Sequence, residues 1–124
     1  MDNNLSQVVL VKDINPGFFK SYDNNSDYQP TYSIVPESSF PDGLVEFKGK
    51  LYFTANNGET GNELFVSDGT AEGTRLAANL NPGKSNDGSG RGSAPDNFVE
   101  FNDKLYFTAD DGVHGDELFV SDGT

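Results

Sequence analysis

Apolar residues alternate with polar ones in short runs, and clusters of Gly, Asn, Asp and Ser separate the runs. A period of two over four to eight residues is the pattern of a half-buried β-strand. In KLYFTA (50–55), Leu51, Phe53 and Ala55 fall on one face and Tyr52 and Thr54 on the other, and the same six residues recur at 104–109. LVEF (44–47) and FVEF (98–101) precede them, with only Lys48-Gly49 or Asn102-Asp103 between. That spacing and composition predict a tight hairpin loop at positive φ. ELFVSD (63–68 and 117–122) follows through the loops NNGETGN and DDGVHGD, and RLAANL (75–80) is reached through SDGTAEGT. No stretch carries a 3.6-residue period with caps, so the pattern predicts an all-β chain.

The runs are copies of one unit. LYFTANNGETGNELFVSDGT (51–70) returns 54 residues later as LYFTADDGVHGDELFVSDGT (105–124), with fifteen of twenty positions identical, and SFPDGLVEFKGK (39–50) returns as SAPDNFVEFNDK (93–104). VVLVKDINPG (8–17) matches TRLAANLNPG (74–83) at an offset of 66. The 12-residue excess is an insertion between Gly17 and Ser39, so 18–38 is expected to be an inserted loop without counterpart in the second copy. The unit has four strands, and 8–14 is predicted to be a fourth strand whose own first three are not in the sequence.

GNELFVSDGTAEGT and GDELFVSDGT, with LVKDINPG, resemble the signature of the ELWxxDGT-repeat proteins, over about residues 8–17 and 39–124. Phe65 and Phe119 stand where that signature has Trp, which keeps the aromatic but removes the indole N–H. The resemblance implies a β-propeller-like fold and an extracellular or cell-surface setting. On that footing residues 44–80 form one four-stranded blade and 98–124 the first three strands of another. Propellers need about 4–8 blades, and two cannot close. The expectation is a homo-oligomer, a trimer with six blades, in which 8–14 of each chain completes the last blade of the next. The alternative is a stretch of a longer array.

Composition narrows function by exclusion. A formal charge of −12, from 20 acidic and 8 basic residues, opposes binding to nucleic acid or anionic lipid. The same acidity suits cationic partners or divalent ions, or serves solubility alone. There is no Cys, hence no disulfide, and no apolar run approaches the ~20 residues of a membrane-spanning helix. Met1 to Gln7 carry neither a basic nor an apolar signal-peptide region, so no such peptide and no membrane insertion are read.

Chemistry-bearing residues are few. His114 is the one histidine, lies in a loop and is Thr60 in the first copy; no nucleophile elbow, Walker loop or dinucleotide fingerprint is present. An enzyme is not expected, and a metal-dependent hydrolase is the remote alternative. No cofactor is required by the pattern, and calcium is the one ion it suggests. Asp23, Asn25 and Asp27 open a calcium-loop spacing that then fails at Tyr28 and Ile34. Asp110, Asp111, Asp116 and Glu117 form a second acidic set, set against the plainer reading of turn chemistry. The insertion gathers Phe18, Phe19, Tyr22, Tyr28 and Tyr32 among Asp and Asn; with Asn56, Asn57, Asp110, Asp111 and His114 in the loops they are candidates for contact with a carbohydrate ligand. Packing over a neighbouring blade is the competing role. The functional expectation is a non-catalytic secreted or surface module acting in ligand binding, adhesion or assembly, with a multivalent lectin as alternative.

Overall fold

A computed structural model describes residues 8–23 and 31–124. It is all-β, with antiparallel sheets of two, four and three strands. Strands β1 (Phe18–Asp23) and β2 (Thr31–Pro36) pair as a hairpin. Strands β3 (Asp42–Phe47), β4 (Lys50–Asn56), β5 (Asn62–Ser67) and β6 (Arg75–Ala78) form the four-stranded sheet in chain order. Strands β7 (Asp96–Phe101), β8 (Lys104–Asp110) and β9 (Asp116–Ser121) form the three-stranded sheet. No helix among the described residues is long and apolar enough to cross a membrane.

Three expectations change. The segment 18–38 is not a loop: 18–23 and 31–36 are ladder-forming strands, because alternating aromatic and β-branched side chains favour extended backbone. The fourth strand spans 75–78 rather than 75–80, since Glu63 captures the amides of Leu80 and Asn81. Residues 8–14, expected as a strand, have no ladder partner among the described residues, and Val8 to Val11 are exposed.

The hairpin loops follow the sequence closely. Lys48 and Gly49 have φ of 51° and 77°, and Asn102 and Asp103 have 53° and 62°, as a two-residue turn with both residues left-handed requires. Each first strand is bulged at the same place, Gly43 (φ 65°) and Asn97 (φ 59°), held by the preceding aspartate, whose Oδ1 accepts the next amide at 2.8 Å.

The period of two decides the packing. Phe47, Tyr52, Leu64 and Val66 of the four-stranded sheet join Leu105, Phe107 and Ala109 of the three-stranded one in a single buried cluster. Phe53, Ala55 and Phe65 project from the opposite face and pack with Ile14 and Leu76. Leu105, Phe107 and Ala109 are the copies of Leu51, Phe53 and Ala55. One face of the repeat therefore packs on the other face of the next, a head-to-tail relation.

Phe65 and Phe119 stack on Phe53 and Phe107 at centroid distances of 6.0 and 5.9 Å, so a phenyl ring fills the aromatic position.

Candidate functional site

The joint between the two larger sheets is built from backbone brought unusually close. A Cβ at Gly61 would lie 2.7 Å from Gly90 O, and one at Gly92 would lie 2.5 Å from Asn62 N, so two glycines let 61–62 cross 90–92. Into this crossing β5 sends Glu63, fully buried. Its carboxylate accepts the amides of Leu80 and Asn81, each at 3.1 Å, and the hydroxyl of Ser93. A carboxylate removed from water requires such donors. Asn81, also buried, donates from Nδ2 to Gly92 O at 3.0 Å, while Gly83 O accepts from Arg91 N and Ser93 O from Asp110 N.

The N-terminal half carries the same joint without the carboxylate. Asn15 donates to Ser38 O at 3.2 Å, Gly17 O accepts from Glu37 N, and Ser39 O accepts from Asn56 N, each at 2.9 Å. These are the position-for-position copies of the bonds of Asn81, Gly83 and Ser93. The described residues place no carboxylate against Ile14 N, Asn15 N or the Ser39 hydroxyl, the counterparts of the three groups Glu63 holds.

Two crevices repeat the comparison. One is lined by Ala77, Ala78, Leu80, Phe107 and Ser121, closed on its far side by Tyr52, Leu64 and Val66. The other is lined by Val11, Lys12, Ile14, Phe53 and Ser67, their copies, and lacks that far wall. The residues able to provide one stand uncovered on the three-stranded sheet. Leu118 is 68% exposed where Leu64 is 3%, Val120 is 53% where Val66 is 4%, and Phe101 is 60% where Phe47 is 1%. Beside them the outer edge of β9, the position β6 takes on β5, pairs with no strand among the described residues. The molecule thus presents the two halves of its internal sheet-to-sheet contact on opposite sides. Comparison with protein-family models, curated proteins and solved structures gives no match.

The loop candidates make hydrogen bonds within their own turns. Asp111 Oδ1 accepts the amides of Val113 and His114, both at 2.9 Å, and Oδ2 meets His114 Nδ1 at 2.8 Å. The hydrogen bond from the His114 ring holds the Asp111 carboxyl down at about 2, with help from the two amides, and the same contact raises His114 above its ordinary value. Asp110 Oδ1 accepts Gly112 N. In the first copy Asn56 and Asn57 do the same work with neutral amides, toward Gly58, Glu59 and Thr60.

Asp116 and Glu117 begin β9, opposite Asp110 and Ala109. No group of three or more His, Cys, Asp or Glu side chains gathers as a metal centre among the described residues. Asn25, Asp27 and Tyr28 lie outside the described residues, and Asp23 is seen only as a backbone partner of Thr31.

The hairpin places Phe18 and Phe19 on opposite faces of β1, both exposed, with Tyr22 and Tyr32 as backbone partners. Phe19 and Asn56 do come together, in a groove with Asn15, Glu37, Ser38 and Phe40. Phe40 is exposed at φ 49°, an uncommon backbone for an aromatic residue. Sequence reading had singled out neither Phe40 nor Glu63. The available signal for Glu63 was a charged residue inside an apolar strand, kept in both copies.

Proposed function

We propose that this protein is a non-catalytic assembly module, a β-propeller-like repeat whose working surfaces are the two unmated halves of its own blade-to-blade contact. One observation carries the reading: Leu118, Val120 and Phe101 are exposed while Leu64, Val66 and Phe47, their copies, are buried. Fully burying a side chain of this kind is worth about 1.5–3 kcal/mol, so a contact that recovered all three would offset much of the about 4–15 kcal/mol that association costs. Head-to-tail docking is heterologous, and it forms a ring where the rotation between copies closes. With two blades per chain, three chains give six blades, within the ordinary range of propellers. The likeness of GNELFVSDGTAEGT to ELWxxDGT repeats supports the same fold and an extracellular or surface setting. Sedimentation velocity over the micromolar range is the test: a species larger than one chain is expected, and a monomer throughout removes the assembly reading.

The groove of Phe19, Phe40, Asn15, Asn56 and Glu37 supports a second reading, a carbohydrate-binding lectin whose sites recur once per chain. Exposed rings beside amide and carboxylate groups supply a stacking platform and hydrogen-bond partners. A glycan array on folded protein tests it: retained glycans lost on Phe40→Ala support a lectin, and an empty array removes it.

A further inference from the structure

The repeat makes the missing parts of the first joint identifiable atom by atom. Glu63 lies in β5, and the copy of Glu63 is Glu117 in β9, exposed. The donors to Glu63 are Leu80 N, Asn81 N and the Ser93 hydroxyl. Their copies are Ile14 N, Asn15 N and the Ser39 hydroxyl, at offsets of 66 and 54. Glu117 has the carboxylate and no such donors; among the described residues, the first joint has the donors and no carboxylate hydrogen-bonded to them. Among the described residues the four-stranded sheet separates the two places, with Phe107 packed on one face of it and Ile14 on the other.

We infer that Glu117 of one chain completes the first joint of a second copy, accepting its Ile14 and Asn15 amides and its Ser39 hydroxyl. The inference rests on the assembly reading and names the partner and the bonds. The strand register follows from the same correspondence. β5 pairs with β6 as Leu64 with Ala78, Phe65 with Leu76 and Val66 with Arg75. Residues 9–12 of the second copy therefore add to the free edge of β9 with Val9 opposite Val120, Leu10 opposite Phe119 and Lys12 opposite Leu118. This brings Leu118 and Val120 over the open side of the crevice lined by Val11, Ile14 and Phe53. The contact continues an interface already present inside the chain, which is why the occupant is a second copy and not an unrelated protein.

Two sets of full-length variants test it. Glu117→Ala is expected to weaken association at least tenfold, Glu117→Gln less, with the melting of the dissociated chain unchanged because Glu117 is exposed. Glu63→Ala should instead lower the melting temperature of the chain itself. The protein has no Cys, so Val9→Cys with Val120→Cys reads the register: directly opposed residues lie within disulfide reach. Oxidation should link different chains, whereas the slipped pair Leu10→Cys with Val120→Cys should link poorly. Association of wild type that Glu117→Ala leaves unchanged would overturn this inference while keeping the assembly reading. Equal linking by both cysteine pairs would overturn the register, and a wild-type chain that never associates would remove both.

Discussion

Asn81 lies so closely over Gly112 that a Cβ placed on the glycine would sit 2.6 Å from Asn81 Oδ1. Asn15 and Gly58 repeat the relation at 2.8 Å. Both glycines have positive φ, 83° and 87°, so a side chain there meets strain and collision together. Gly112→Ala should lose clearly more than the about 1–2 kcal/mol of left-handed strain alone. Gly49→Ala, also at positive φ but with nothing within 4 Å of its Cβ, should lose only about that strain. Urea denaturation of the two variants makes the comparison, and equal losses would mean that the Asn81 contact does not constrain the site.

Leu64 and Leu118 occupy the same place in the repeat in opposite environments. Leu64→Ala opens a cavity in the buried cluster and should cost about 2–5 kcal/mol of chain stability. Leu118→Ala should change the stability of the isolated chain by less than about 0.5 kcal/mol, as exposed substitutions do, yet reduce association. Denaturant unfolding paired with sedimentation separates the two effects. A large loss of chain stability at Leu118 would mean that this face is already covered within the chain.

The Asp111–His114 pair gives a pH window. Asp111 is held down from 3.8 to about 2, so its contribution is present above 3.8 and is lost as pH falls through about 2. His114 is raised above 6.5, so its contribution is complete below 6.5 and is lost as pH rises through the raised value. The loop is therefore tightest between about 4 and 6.5. Titrating His114 by NMR should give a midpoint above 6.5, and Asp111→Asn should bring it down. An unchanged midpoint in that variant would show that Asp111 is not the cause.

Calcium is expected to leave the fold unchanged. Both oxygens of Asp111 serve its own loop, and Asn57 builds the matching loop with a neutral amide. A thermal melt should not move between chelator and millimolar calcium. A rise in melting temperature with calcium would restore a cation site, and substituting Asp110 or Asp116 would then locate it.

Much of this architecture was readable in the chain. KLYFTA and ELFVSD announce strands by alternation, and Lys48-Gly49 and Asn102-Asp103 announce the hairpins by loop length and tolerance of positive φ. The hairpin at 18–36 was not readable as strands, because its aromatic and polar residues fit ligand contact as well as pairing, and no second copy existed for comparison. Residues 8–14 read as a strand by homology to 74–80, but a ladder depends on a neighbour and not on propensity. Glu63 was hidden among 20 acidic residues, since only the fold brings Leu80, Asn81 and Ser93 to its carboxylate. The groove of Phe19 and Phe40 joins positions whose proximity depends on how the hairpin returns to β3.

Native mass spectrometry across a concentration series addresses the head-to-tail closure most directly. A closed ring predicts one dominant species of three chains whose size stays fixed as concentration rises; two or four chains would give rings of four or eight blades. A monomer at every concentration, or a ladder of species lengthening without limit, would contradict it.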